Sequence, residues 1–285
     1  MAALLDAMQQ TQTVAMLVGL ALLLLWESAH PFFDYFRTDP KARRKHALRN
    51  LLLGALNAGV IALVFVGLWG LAAIWASEQG IGLLHWAERA LSLPAWSHAL
   101  GAVLLLDGWT YLWHRLNHTI PFLWRFHRVH HNDPTMDVTT ASRFHTGEIV
   151  LSSLLRVPII VLLGVYLWEL VLYETLMFAV VQFHHANVVL PARLDRALRA
   201  VIVTPAMHKV HHSRWQPETD SNYSALFSFW DRIGRTFRRR DDLSTIRFGL
   251  DGWDADDDQR FAGLLRAPLK TPEASESTLE RRDDA

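Results

Sequence analysis

The chain has 285 residues, 51% of them hydrophobic, and its 28 basic side chains are balanced by 28 acidic ones for a formal net charge of zero. With no basic surplus, nothing recommends nucleic acid as a partner. There is no cysteine, which excludes disulfides, thiolate zinc sites, cysteine-ligated iron–sulfur clusters and cysteine nucleophiles. Any metal must sit on nitrogen or oxygen ligands.

The apolar residues are gathered in long blocks, the pattern of an integral-membrane helical protein. Met8 to Trp26 carries no charge, and Val14 to Trp26 is apolar apart from Gly19, just long enough to span a hydrocarbon core of about 30 Å. A basic start and an A-x-A-like cleavage site are missing, whereas Trp26, Phe32 and Phe33 suit the interface, so a retained first helix is expected. Leu51 to Ser77 is a second uncharged run. Leu91 to Trp113 is a third, interrupted by His98 and Asp107, with Pro94 tolerated near its start.

Glu148 to His184 as one helix would measure about 55 Å, too long for one crossing. Pro158 and Gly164 predict a break there. Glu169 and Glu174, beside Tyr166, Trp168 and Tyr173, predict a hairpin whose bend reaches the opposite headgroup layer, or a re-entrant pair. The expectation is therefore an all-α integral-membrane bundle with about four membrane-embedded helical regions. Arg37, Lys41, Arg43, Arg44, Lys45 and Arg49 crowd between the first two spans, while Glu78 to Ala90 holds one arginine. The positive-inside rule makes the first loop cytoplasmic, and counting crossings puts everything after the hairpin on that side too. Arg193 to Arg266 is expected to form a membrane-apposed cytoplasmic cap and Lys270 to Ala285 a disordered tail. Arg235, Arg238, Arg239 and Arg240 suit anionic headgroups or the docking of an acidic protein.

Eleven of the 15 histidines lie between residues 114 and 212, in groups. His114 and His118 are an i, i+4 pair at the end of the third span, projecting from one helix face. His127, His130 and His131 form an H-x-x-H-H word, and His208, His211 and His212 form another. His184 and His185, followed by Asn187, stand where the hairpin returns. Adjacent imidazoles would repel once protonated, so three-histidine faces are poor solvated surface and good metal sites. The three clear groups supply eight imidazoles where a mononuclear catalytic zinc takes about three protein ligands, which implies two metals. His185 adds a ninth imidazole and His145, in Arg143-Phe144-His145, a tenth. Neighbouring residues on a helix point about 100° apart, so one of His184 and His185 is expected to face the metals. Asn187 is a further candidate ligand or orienting group. Asp107, two turns before His114, is either a partner that orients an imidazole or a carboxylate in the polar interior of the bundle. His30, His46, His85 and His98 lie far from the groups in sequence and are expected to pack or to sit at the interface.

The order H-x3-H, H-x2-H-H, a histidine after a membrane hairpin, then H-x2-H-H resembles the fatty acid hydroxylase/sterol desaturase superfamily. The words Phe126 to Asn132, Asp137-Val-Thr-Thr-Ala141, Arg143-Phe-His145, Asp220-Ser-Asn-Tyr223 and Trp230-Asp231-Arg232 match as well, over roughly residues 95 to 240. The resemblance implies a non-haem di-iron centre in a cytoplasmic histidine-rich cap, with O2 as co-substrate and a lipid or sterol-like substrate to be hydroxylated or desaturated. Carried over, the metal ligands are His114, His118, His127, His130, His131, His145, His185, His208, His211 and His212. It further implies residues 1–95 as amino-terminal transmembrane helices with a basic cytoplasmic loop, 96–240 as the catalytic domain, and 241–285 as a partly disordered cytoplasmic tail. The setting expected is a bacterial inner membrane with the active site on its cytoplasmic face. Electrons must come from an external donor, a ferredoxin or cytochrome b5-like protein, because the chain has no flavin or nicotinamide fingerprint and no cysteine cluster. Two departures stand out: the third motif has a single-histidine form, as in the sterol-modifying and bacterial branches, and Gly234-Arg235-Thr236 stands where many members have Phe-Gly-Thr. A histidine-rich membrane metal-binding or transport protein is the alternative. It would require histidines along a path through the bilayer.

Overall fold

A computed structural model describes residues 2–271; the tail expected beyond Lys270 lies, from residue 272 on, outside the described residues. Helices make up the fold, and the sole β pairing among the described residues is an isolated bridge between Ile202 and Phe227. Helix α1 (Ala2–Ala29) is followed by α2 (Pro40–Val60), which runs through one π-helical turn (Ile61–Phe65) into α3 (Val66–Gln79). Then come α4 (Leu83–Leu91), α5 (Ala95–Thr119), α6 (Pro121–His131), α7 (Thr146–Leu163), α8 (Leu167–His185), α9 (Ala192–Leu198) and α10 (Pro205–His211), with short turns of helix beyond.

Three helical segments are long and apolar enough to cross a membrane: Gln10–Ala29, Pro40–Leu91 and Thr146–Leu163. Their outward side chains are greasy, with Leu63 89% and Leu71 68% exposed, a surface that water would not tolerate and lipid would. Helices α5 and α8 carry polar side chains into the inside of the bundle. The first buries His98, Asp107 and Asn117, and the second buries Glu169, Gln182, His184 and His185. Around them α1 packs on α8 and α3 on α7, while α5 lies against α8 and α6. Phe65, Trp69, Leu106, Ile160, Leu170 and Tyr173 meet in the apolar core between the helices.

The expected break in the fourth region is present, at Gly164 and not at Pro158, which sits inside α7. Gly164 ends α7 in the left-handed conformation, φ +72°, with its N–H bonded to Ile160 O, a stop that glycine makes without Cβ strain. Glu169 then restarts the chain by accepting from Tyr166 N at 2.9 Å, a reciprocal cap for α8. Gly82, at φ +118°, meets the backbone of Gly164 so closely that no side chain fits between them. The α3–α4 turn is thereby seated on the α7–α8 turn, and these turns define one end of the bundle.

The opposite end gathers the start of α2, the last turns of α1, α5 and α8, the first turn of α7, and all of α6 and α10. Glu27 of α1 accepts from Val138 N at 3.1 Å and Asn187 N at 3.0 Å. The basic stretch Lys41 to Arg49 is the opening of α2 and not a loop, because Asp39 caps the first free N–H groups and Pro40 occupies the first helical position. His46 is buried there, its Nε2 donating to Asp133 at 2.9 Å. It joins two segments, where an interfacial position was one of the expectations. Residues 241–271 are also folded: Trp253, Leu264 and Ala267 pack with Leu53 and Val129. Arg128 lies over the Trp253 ring at 4.6 Å, and Lys270 Nζ pairs with Asp258 at 2.6 Å.

Candidate metal centre

Helices α6 and α10 are short, each opens on a proline (Pro121, Pro205), and each carries an H-x-x-H-H word on its last turn. On a helix, i and i+4 lie about 40° apart, whereas i+3 falls about 60° to the other side. The spacing thus divides each word two and one, and the division is reciprocal. His127 and His131 of α6 join His114 and His118 of α5 and His211 of α10 in one group; His208 and His212 join His130 of α6 and His185 of α8 in the other. Within each group the ligand-capable nitrogens all lie within 4.8 Å of one another.

The imidazoles are oriented from behind. His114 Nδ1 donates to Tyr223 O at 2.7 Å, His211 Nδ1 to Ser221 O at 2.6 Å, and His185 Nδ1 to Val181 O at 2.7 Å. His127 Nδ1 meets Glu148 Oε1 at 2.9 Å and His118 Nδ1 meets Asp220 Oδ1 at 3.2 Å. A nitrogen facing a carbonyl or carboxylate carries the ring proton, so each Nε2 is left with a bare lone pair. The Nε2 atoms face one another: His211 and His114 Nε2 are 3.0 Å apart, His208 and His185 3.0 Å, His185 and His130 3.1 Å, His131 and His127 3.2 Å. His118 Nε2 is buried without a partner.

Such an arrangement repels itself unless something positive lies between the nitrogens. Protons are disfavoured: burial and neighbouring imidazoles hold His130, His131, His208 and His212 well below the ordinary histidine value, and burial brings His211 down to about 3. A metal ion fits. With an imidazole–metal bond of about 2.1 Å, ligands at right angles stand about 3.0 Å apart. Neutral, nitrogen-only donors suit borderline first-row cations such as iron and zinc.

Other candidate residues lie elsewhere. His145 caps the start of α7, its Nδ1 accepting from Gly147 N at 2.9 Å and its Nε2 donating to Leu265 O at 3.1 Å. Both nitrogens are used, which leaves no lone pair for a metal, and it belongs to neither group. His184 is buried with its ring 3.8 Å from that of His208, but it too is outside both groups. Asn187 spends its side chain on the backbone of Phe33, accepting from N at 3.0 Å and donating to O at 2.8 Å. Asp107 touches no imidazole. Its carboxylate accepts from Leu226 N, Phe227 N and Trp230 Nε1 at 3.2, 2.9 and 3.0 Å, making it the interior carboxylate of the two alternatives.

Several supporting residues carried no assigned role in the sequence reading. Asp231 accepts from Tyr223 N at 2.7 Å and Ser224 N at 3.0 Å. Together with Asp107 it pins residues 221–227, the strip whose carbonyls orient His114 and His211. The word Asp220-Ser-Asn-Tyr223 is that strip, so the resemblance marked it without explaining it. Arg143 is fully buried and ties Val129 O, Asn50 and Asn132 together at 2.9, 3.0 and 2.5 Å, while Phe144 stacks on His130 with centroids 4.2 Å apart. Glu148 had no such word around it. Its signal was position alone, one turn into a helix that begins beside the first histidine-rich end.

With this geometry in place, residues 99–236 match the family described as fatty acid hydroxylase. The chain carries a fatty acid hydroxylase domain over those residues, a match that supports the fatty acid hydroxylase/sterol desaturase superfamily. It is 31% identical over 166 residues to an ornithine lipid hydroxylase of Rhizobium tropici, covering 55% of this chain and 46% of that protein. It is 28% identical over 150 residues to the human alkylglycerol monooxygenase (52% and 32% covered) and 24% identical over 168 residues to the rat cholesterol 25-hydroxylase (55% of each). The chain thus spans about half or less of the length of these relatives. No solved structure matches.

Two predictions follow from the supporting network. Removing the charge that orients His127, by Glu148→Gln, is expected to weaken metal binding by about 10–100-fold with the helical content intact. Competition with a chelator, read by metal analysis, checks this, and unchanged affinity would show that Glu148 orients nothing. Arg235 stands at φ +58°, in the left-handed region that costs a non-glycine residue roughly 1–2 kcal/mol. Arg235→Gly is expected to stabilise the protein by about 0.5–1 kcal/mol, seen as a higher thermal midpoint in detergent.

Proposed function

We propose that this protein is a membrane-bound non-haem di-iron oxygenase that uses O2 to hydroxylate or desaturate a lipid or sterol-like substrate. The observation that carries the reading is the pair of buried imidazole groups, lone pairs inward, at one end of an apolar helical bundle. The superfamily supports it, as do relatives named for hydroxylating an ornithine lipid and cholesterol and for oxygenating an alkylglycerol.

The ligand set is His114, His118, His127, His131 and His211 around one metal and His130, His185, His208 and His212 around the other. Bound iron supplies the change of oxidation state that attack on an unactivated C–H bond needs and zinc cannot give. The residues of the chain do the rest. Tyr223 O, Ser221 O, Val181 O, Glu148 and Asp220 keep the ring protons on the Nδ1 atoms, so that Nε2 is free to bind without releasing a proton. Phe144, Trp124 and Tyr223 lie against the imidazoles and keep water from them, which protects a reactive centre from side reactions. An aliphatic chain enters from the bundle side, because α5 and α8 bring their histidines directly below the apolar core. Electrons arrive from a separate ferredoxin or cytochrome b5-like protein.

Residues 96–240 form the catalytic unit, and about four membrane-embedded regions carry it. The histidine end shares its side of the bundle with the basic opening of α2, Lys41 to Arg49, which supports a cytoplasmic face by the positive-inside rule, in a bacterial inner membrane. Transport fits less well. Between His98 and His114 on α5, and between Leu167 and His184 on α8, there is no histidine to continue a path.

Lipid mass spectrometry of cells with and without the protein tests the activity: the expected product differs from a cellular lipid by one added oxygen or two lost hydrogens. Replacing His131 or His212 by alanine should cut that product by roughly a hundredfold or more with expression intact. Full activity with both replaced overturns the di-metal reading. For topology, a periplasm-specific reporter fused after Ser213 should be silent; an active one places the histidine end outside.

A further inference from the structure

The end of the bundle remote from the metal centre holds a second cluster that the oxygenase reading does not use. His85 and Glu88 stand one helical turn apart on α4, and His98 faces them from the first turn of α5; a ligand-capable atom of each lies within 4.8 Å of the others. His85 and His98 are buried, 5% and 4% exposed, with ring centroids 4.9 Å apart. His98 Nδ1 donates to Glu169 at 2.9 and 3.2 Å, and Tyr166 lies against both rings. The cluster is built, not incidental: the glycine contact of Gly82 with Gly164 brings α4 onto the α7–α8 turn and so sets Glu169 behind His98.

What this cluster lacks is a partner for its inner nitrogens. His98 Nε2 and His85 Nε2 are both buried with no hydrogen bond, and a buried polar atom left bare is costly. Because Glu169 holds the proton on His98 Nδ1, the Nε2 of that ring is a free lone pair. Two imidazoles and one carboxylate, with a carboxylate behind one imidazole, make the His2Glu donor set and the orienting pattern of a three-ligand zinc site. We propose that His85, Glu88 and His98 bind one zinc-class divalent cation, separate from the two metals of the histidine-rich end. The ion closes α4 onto α5 at the α7–α8 turn, and its binding stabilises the folded chain by mass action. The proposal does not depend on the oxygenase activity.

The test uses the full chain in detergent, dialysed against buffered zinc, with bound zinc measured per chain. The His85→Ala/His98→Ala double variant is expected to hold one zinc fewer than the wild type. Glu88→Gln should weaken that one ion by at least tenfold while leaving the others in place. A His131→Ala/His212→Ala chain should keep the remote zinc and still gain thermal stability on zinc addition, a gain that disappears when Glu88→Gln is added. Should the double variant fail to fold, the Glu88→Gln titration decides alone, because Glu88 is only partly buried. Equal zinc content and affinity in wild type and Glu88→Gln overturn the proposal, whatever the state of the di-metal centre.

Discussion

Nine imidazoles crowd their ring nitrogens against one another in two groups, and the rest of this molecule is arranged around holding them there. The restraint comes from behind the rings. A carbonyl or carboxylate takes the Nδ1 proton of His114, His118, His127, His185 and His211, and that fixes both the tautomer and the angle of each ring. Those acceptors are themselves held. Ser221 and Tyr223 belong to a strip clamped by Asp107 and Asp231, and Glu148 is locked into the first turn of α7. A cation between the nitrogens would turn the repulsion between them into binding.

The polarity of α5 and α8 follows from the same constraint. Helices that must deliver histidines to one end, and carboxylates such as Asp107 and Glu169 along their length, cannot be uniformly apolar. The lipid-facing work falls to α1, to the long α2–α3 helix and to α7. Helices α5 and α8 also expose apolar side chains, among them Leu100 and Leu176, and keep their polar ones inside.

Much of the site was legible because its spacing is helical. The i, i+3, i+4 words had to put imidazoles on one side of a helix, and all eight imidazoles of the three clear groups, with His185, fall into the two groups that the fold assembles. The reciprocal split between α6 and α10 was not legible, since it depends on how two short helices face each other. His145 shows where analogy outran geometry: the word around it matches, but both of its nitrogens are already bonded. Asp107 and Asn187 show the reverse, polar residues near the histidines in sequence whose partners are backbone groups of distant loops. Glu148 and Glu169 gave no local signal because what they do is defined by a partner 21 or 71 residues away. The break between residues 148 and 184 was expected from Pro158 and Gly164 together, and one of the two makes it. Pro158 is accommodated within α7, and the turn belongs to Gly164, where backbone meets backbone.

The site draws its ligands from α5, α6, α8 and α10, and the strip that orients two of them ends only at Tyr223. Translation therefore delivers the last donors long after the first. His114 and His118 leave the ribosome about a hundred residues before His211 and Ser221, and every membrane helix must be inserted before either group can close. Neither imidazole group can be complete until that last segment has been made. A chain stalled or clipped near residue 200 would lack His208, His211 and His212, and with them one imidazole of the first group and two of the second.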